Sequence, residues 1–181
     1  MSAKLTPFAV LQQLEQRATS LAAPLPDQAG ETKSFQAIAF EFMGDTFLMP
    51  MTDVKEVLPM PVTRRLPGVQ KWVKGIANVR GEILALIDLN AFLSSGKMTN
   101  PAVSRIIAIE TDGMHFGIIV DRVIGMRQVS QAQIKEGPAG NCPSEMLGYI
   151  AASVDLENQS MNLFCPVKLV NSDTFATVST L

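Results

Sequence analysis

The chain has 181 residues, of which 47% are hydrophobic and 18% are charged, and its formal net charge at pH 7 is −2. This is the composition of a globular protein with one core or two small packed cores, and it excludes an intrinsically disordered chain. The slightly acidic balance also argues against binding of nucleic acid or of an anionic membrane through a general positive field.

The N-terminal residues Met1–Pro7 predict a cytoplasmic protein, because they lack the apolar centre and cleavage site of a signal peptide. No apolar stretch reaches the roughly 20 residues that a membrane-spanning helix needs, so direct membrane insertion is not expected. The two cysteines, Cys142 and Cys165, are expected to be reduced thiols, since cytosolic chains seldom form a disulfide framework.

Residues 1–34 are predicted to form a helix and a linker. Thr6 can cap the helix, and Pro7 suits its first position because the missing N–H is not needed there. Pro24 and Pro26 then end the helix. The apolar residues at helical spacing are Phe8, Leu11, Leu14, Ala18 and Leu21. This stripe either packs on the body of the protein or docks on a partner.

From Phe35 onward the apolar residues recur with a period of two, which is typical of β-strands. One hairpin is predicted to turn at Gly44 and a similar one at Gly113. A shift of 69 residues aligns six identical pairs without a gap: Ile38/Ile107, Ala39/Ala108, Glu41/Glu110, Gly44/Gly113, Phe47/Phe116 and Val54/Val123. We interpret the two halves of the chain as related repeats.

Each half offers four or five short strands, with turn signals about every 8–12 residues, a pattern typical of small barrels. We therefore predict a mainly β domain over residues 35–175. Its first subdomain is expected at about 35–98 and its second at about 99–170, divided by a loop-like segment. Residues 171–181 are predicted to form a C-terminal tail.

The sequence carries no motif for catalysis, metal binding or cofactor binding. It lacks the phosphate-binding loop, the dinucleotide-binding glycine pattern and the nucleophile elbow. His115 is the only histidine, and Cys142 has no neighbouring basic residue in the sequence to lower its pKa. We predict no enzyme, cofactor, metal or small-molecule substrate; a hydrolase with Cys142 as nucleophile is the alternative.

Four basic residues surround the only tryptophan. Arg64, Arg65, Lys71 and Lys74 lie close to Trp72 in the sequence. This cluster fits a solvated loop beside a packed tryptophan, a nucleic-acid-binding surface or a protein interface. A small-barrel nucleic-acid-binding protein is therefore kept as an alternative of a different class.

Two segments resemble the CheW family of chemotaxis coupling proteins. The first combines residues 54–57, Val-Lys-Glu-Val, with residues 67–89, which contain Gly-Ile-Ala-Asn-Val-Arg-Gly and end in Asp-Leu. The second is residues 117–125, Gly-Ile-Ile-Val-Asp-Arg-Val-Ile-Gly. The order of these motifs and the gaps between them agree with the family pattern over residues 40–129, whereas residues 138–181 match that pattern more loosely. The N-terminal arm, with Thr-Pro-Phe near its start, resembles the PilI branch of that family.

The resemblance implies a CheW-like fold of two SH3-like five-stranded β-barrels with short helices, to which the N-terminal helix is added. It implies a non-catalytic adaptor that is recruited to membrane-associated receptor arrays. There it would couple the cytoplasmic helical tip of a methyl-accepting chemoreceptor to the regulatory domain of a CheA-like histidine kinase, in a two-component system. The PilI branch implies control of type IV pilus twitching motility; a flagellar chemotaxis system is the alternative.

The resemblance also implies a receptor- and kinase-binding site. Its residues are Val54, Glu56, Val57, Ile76, Asn78, Val79, Arg80 and Gly81. Glu56 and Arg80 are expected to form an ion pair, whose disruption costs about 3–5 kcal/mol if the pair is fully buried. The four apolar members are expected to line a groove for a receptor helix. Gly81 is expected to supply backbone freedom in a turn, and Asn78 to bond to the turn backbone.

Overall fold

The computed structural model describes residues 34–93, 100, 102–111 and 113–178, which are mainly β. The strands are β1 (Ser34–Phe42), β2 (Asp45–Pro50), β3 (Val54–Pro59), β4 (Val73–Val79), β5 (Glu82–Asp88), β6 (Arg105–Thr111), β7 (Met114–Val120), β8 (Arg122–Ser130), β9 (Ile134–Glu136), β10 (Ile150–Leu156) and β11 (Gln159–Phe164). The α-helices are α1 (Leu89–Phe92), α2 (Pro166–Val170) and α3 (Asp173–Ala176). None of the described helices is long and apolar enough to cross a membrane. The helix predicted within residues 1–34 lies outside the described residues.

The strands form two sheets. The first has the order β8-β1-β2-β11-β10-β9, and the second has the order β3-β6-β7-β5-β4. Neighbouring strands are antiparallel except β2 with β11 and β5 with β7, which are parallel. In each sheet a hairpin from one half of the sequence therefore lies between strands from the other half.

The internal repeat is confirmed by the strand register. Ile38 faces Met49 in the first hairpin, and Ile107 faces Ile118 at the positions 69 residues later. The strand after each hairpin also carries an equivalent irregularity. The β3–β6 pairing slips between Val54 and Glu56, and the β1–β8 pairing slips at the corresponding point of β8. The two halves thus share strand order, register and bulge position.

The predicted division into subdomains at about 35–98 and 99–170 does not match the sheets, because each sheet takes strands from both segments. Two short connections cause the exchange: Met51–Asp53 joins β2 to β3, and Asp121 alone joins β7 to β8. If β3 paired with β1 of its own half, it would run parallel to β2. Parallel strands of one sheet need a connection of about a dozen residues or more. The three-residue connection thus excludes that pairing, and β3 instead pairs with β6 of the other sheet.

Each sheet curls towards a closed barrel. In the second sheet, the chain beyond β3 returns to the opposite edge, where Arg64 and Ile76 exchange two backbone hydrogen bonds of 2.8 Å. In the first sheet, β9 makes the equivalent closure against β10 and gives that sheet six strands, one more than predicted. The prediction of two small barrels is thus confirmed, although their strand composition differs.

The largest core cluster is shared by both sheets. It contains Phe40 and Phe47 from the first hairpin together with Ile107 and Phe116 from the second. Two smaller clusters each lie within one sheet. Because apolar burial of this kind is the main source of folding free energy, the two barrels stabilise each other.

The predicted C-terminal tail is in part a packed element. The ring of Phe175 in α3 is buried, with its centroid 5.7 Å from that of Trp72 and 5.4 Å from that of Phe116. Trp72 also contacts Phe92 of α1 at 5.2 Å. The sequence pattern of residues 171–181 did not reveal this role, because a single buried aromatic residue has no periodicity.

Replacement of Gly75 by Ala tests the barrel closure. Gly75 has a φ of +139°, and an added Cβ would lie 2.2 Å from the carbonyl oxygen of Arg64. We expect Gly75→Ala to lower the free energy of unfolding in urea by about 2–3 kcal/mol, because neither the backbone nor the neighbour can adjust cheaply. Gly140→Ala is the control, since its added Cβ meets no atom within 4 Å. Equal stability of the two variants would contradict the close approach at Arg64.

Candidate functional site

The predicted site is organised by the turn between β4 and β5. Arg80 and Gly81 have φ values of +51° and +91°, as in the two-residue turns that match the twist of a hairpin. Gly81 adopts its value without strain, because it has no Cβ. The side-chain oxygen of Asn78 accepts a hydrogen bond of 2.9 Å from the Gly81 N–H. The expected roles of Asn78 and Gly81 in the turn are confirmed.

Glu56 and Arg80 form an ion pair between β3 and this turn. The Arg80 Nη2 atom lies 3.3 Å from Glu56 Oε2, but the Arg80 side chain is 84% exposed and that of Glu56 is 23% exposed. A pair so open to solvent contributes only about 0–1 kcal/mol to stability. The cost of about 3–5 kcal/mol expected for a buried pair therefore does not apply. The guanidinium remains accessible to a partner.

A second group of charges crosses the outer surface of the same sheet. Lys55 Nζ donates to Glu82 Oε2 at 2.8 Å and lies 3.5 Å from Glu110 Oε2. The hydrogen bond with Glu82 raises the pKa of Lys55, and the same bond lowers the pKa of Glu82. His115 Nδ1 lies 3.6 Å from Glu82 Oε2. These contacts link Lys55 on β3 to Glu82 on β5 and Glu110 on β6, and Glu82 to His115 on β7.

An open groove lies beside the turn and has a volume of about 560 Å³. Its lining residues are Val62, Arg64, Ile76, Ala77, Asn78 and Ile83. Val62 is 92% exposed and Ile83 is 69% exposed, although both are large apolar residues. Burying them against a partner would be favourable in proportion to the apolar area removed from water.

The structure brings part of the predicted set to this groove. Ile76 and Asn78 line it, and Val57 on β3 is 39% exposed. Val54, in contrast, packs against the large shared core. Val79 packs against the core cluster of the second sheet. The binding roles of these residues stay predictions.

Sequence reasoning missed Val62 and Ile83. In strand β5, the two-residue period of a strand places successive side chains on two opposite faces. Leu84 and Leu86 are buried, so Ile83 must point to the other face. This alternation was available in the sequence. Val62 lies in an irregular segment between β3 and β4, and no periodic signal marks it.

The described residues contain no group of three His, Cys, Asp or Glu side chains that could hold a metal ion. Burial raises the pKa of the Cys142 thiol, and the nearby negative charge of Asp45 raises it further. A nucleophilic cysteine requires the opposite shift, because the thiolate is the reactive form. The geometry around Cys142 therefore disfavours the hydrolase alternative.

Comparison with known proteins identifies the family. The CheW-like domain matches residues 36–173. The chain belongs to the CheW family. It is thus a CheW-like adaptor of the chemosensory type.

Relatives and a solved structure agree with this assignment. The chain is 42% identical to the protein PilI of Pseudomonas aeruginosa over 127 residues, which are 70% of this chain and 71% of PilI. It is 31% identical to the protein FrzA of Myxococcus xanthus over 133 residues, 72% of this chain and 82% of FrzA. The scaffolding protein TtCheW of Thermoanaerobacter tengcongensis superposes with a TM-score of 0.69 over 78% of this chain and 96% of its own. At 22% identity, that likeness supports the CheW-like fold alone.

The pH dependence of alkylation tests the environment of Cys142. In a Cys165→Ser variant, we expect iodoacetamide to modify folded Cys142 more slowly at pH 8 than the same thiol in urea-unfolded protein. A raised pKa lowers the thiolate fraction at that pH, so the rate should continue to rise above the ordinary pKa of the thiol. Rates followed by intact-protein mass spectrometry provide the measurement. A faster reaction in the folded state at pH 7 would contradict the burial argument.

Proposed function

We propose that this CheW-like protein is a non-catalytic adaptor that couples a methyl-accepting chemoreceptor-like protein to a CheA-type histidine kinase. The receptor would contribute its cytoplasmic helical tip, and the kinase its regulatory domain. The identity to PilI supports an output through type IV pilus twitching motility, ahead of a flagellar output. The protein would act in the cytoplasm, at membrane-associated receptor arrays.

The observation that carries this proposal is the exposed apolar groove beside the β4–β5 turn. Helices often bind protein partners by placing an apolar face in such a groove. Ile76 and Ile83 lie on neighbouring antiparallel strands, with side chains directed to the groove. They form a preorganised apolar surface, because residues in a sheet lose little further conformational entropy on binding.

Charged side chains beside the groove would set the orientation of the helix. The exposed Arg80 guanidinium has five N–H donors, of which the pair with Glu56 uses only a part. A carboxylate or backbone carbonyl of the receptor tip could accept from the others. Polar contacts of this kind select partners and register more than they raise affinity.

The nucleic-acid alternative loses the stacking ring that the sequence suggested for it, Trp72. Trp72 is only 6% exposed, and its ring is packed between Phe92 and Phe175. Bases stack on aromatic rings that are accessible to solvent. The Trp72 cluster therefore supports a packed loop, and the adaptor function is preferred.

Arg80→Glu tests the proposal in a co-purification with the host receptor and CheA-like kinase. We expect retention of receptor to fall about tenfold or more, because the variant places two carboxylates together at the contact. Its thermal stability should change little, since the native pair is exposed. Arg122→Glu is a matched control: Arg122 also pairs with a glutamate, Glu41, but on the other sheet.

The charge-swapped double variant Glu56→Arg/Arg80→Glu distinguishes direct contact between Arg80 and the receptor from a role of Arg80 in holding the turn. It restores the ion pair, so it should recover receptor binding only if Arg80 acts by holding the turn. Continued loss in the double variant, with normal stability, supports direct contact. A folded Arg80→Glu protein that retains every partner would refute the assigned site. Restoration of twitching in a strain that lacks the protein distinguishes the pilus output from a flagellar one.

A further inference from the structure

The segment between β3 and β4, together with the first two residues of β4, forms a second surface that adjoins the groove at Ile76 and Ile83. We propose that this basic loop, residues 64–74, binds an acidic segment of a protein partner. The proposal goes beyond the receptor contact, because it assigns an additional docking surface with its own charge requirement.

The loop contains a groove of about 280 Å³ with a basic and apolar lining. The lining residues are Arg65, Leu66, Val69, Gln70, Lys71, Val73 and Lys74. No acidic residue is among them. Arg64 stands directly beside this groove and lines the neighbouring one, so the positive charge extends across both.

The basic side chains of this loop differ from the others of the described chain. Elsewhere in the described chain, five basic residues each pair with a carboxylate: Lys55, Arg80, Arg122, Arg127 and Lys135. Arg105 and Lys168 donate to backbone carbonyls. For Arg64, Arg65, Lys71 and Lys74, the described part of the chain offers neither kind of partner. Within the described residues, the positive charge of this loop therefore has no carboxylate partner and is open to an anion.

The backbone of the loop is held by hydrogen bonds at several points, although only Val73 and Lys74 lie in a strand. At its start, Arg64 is bound to Ile76 through two backbone hydrogen bonds. In its middle, the Gln70 N–H donates to the Val178 carbonyl at 3.0 Å, and the Gln70 carbonyl accepts from Val73 at 3.0 Å. Because the backbone is already ordered, binding costs little conformational entropy there.

Trp72 anchors the loop to the core. Its carbonyl accepts a hydrogen bond of 2.8 Å from the Asp88 N–H, and its ring packs on Phe92 and Phe175. The basic residues on either side of it, Lys71 and Lys74, are thereby presented from a fixed backbone. The tryptophan thus positions the charges instead of contacting the ligand.

Three features favour an acidic protein segment over a nucleic acid or a membrane. Leu66 is 39% exposed beside the charges, which suits a segment that mixes carboxylates with apolar side chains. A nucleic acid would need accessible aromatic rings or a longer basic track. The net charge of −2 repels polyanions and anionic membranes at long range. A short acidic segment, in contrast, can bind through the local positive charge of the loop alone.

The test is an NMR titration of the full-length protein with a synthetic peptide that repeats Glu-Glu-Leu. We expect amide shifts concentrated in residues 64–74, and no comparable shifts with the matched Gln-Gln-Leu peptide. Lys71→Glu should weaken binding about tenfold, because it reverses one of the charges that face the peptide. Lys135→Glu, the same change on β9, should leave the affinity unaltered. Equal binding of both peptides, or shifts outside the loop, would overturn the proposal.

Single-stranded DNA and phosphatidylserine vesicles serve as the competing ligands. If either binds residues 64–74 more tightly than the acidic peptide, the assignment of a protein partner is wrong. Receptor co-purification separates this surface from the groove: Lys71→Glu should retain the receptor that Arg80→Glu loses. A failure of the basic loop to bind the peptide therefore leaves the proposed adaptor function intact. A failure of the receptor co-purification likewise leaves the proposed acidic-segment site intact.

Discussion

The fold depends on the exchange of hairpins between the two halves of the chain. The hairpin β1–β2 hydrogen-bonds on its outer edges to β8 and β11, and the hairpin β6–β7 does the same with β3 and β5. Without the exchange, each of these edges would lose its backbone partners. Unpaired backbone groups in buried strands cost free energy comparable to lost hydrogen bonds. The one-residue connection through Asp121 is too short for a hairpin between β7 and β8, and β8 pairs with β1 of the other half instead.

The exchange also explains how the candidate groove and the basic loop are supported by the rest of the fold. The candidate groove and the basic loop belong to strands β3, β4 and β5, which stand on the hairpin β6–β7 of the other half. The large core behind them joins Phe40 and Phe47 to Ile107 and Phe116 across the two sheets. Close packing of this kind resists small displacements. Surfaces on one barrel are therefore supported by both halves of the sequence.

Local features were predictable from the sequence, and long-range pairing was not. The turns at Gly44, Gly81 and Gly113 could be located because glycine frees the backbone there. The repeat was visible as identical residues when the chain is shifted against itself by a fixed number of residues. Because the two hairpins have similar patterns, however, the sequence could not show which strands each hairpin pairs with. The exposure of Ile83 could be predicted only once the two faces of strand β5 were assigned. The burial of Phe175 could be recognised only from the tertiary structure, because a single aromatic residue shows no periodicity in the sequence.

Fragment complementation tests the hairpin exchange most directly. The chain would be produced as two polypeptides, residues 1–98 and 99–181, and each would be studied by far-UV circular dichroism and NMR, alone and mixed. The exchange predicts that neither polypeptide folds alone, because each lacks the hairpin that completes its sheet, and that mixing them restores the spectrum of the intact protein. A stable, well-dispersed barrel from either polypeptide by itself would contradict it.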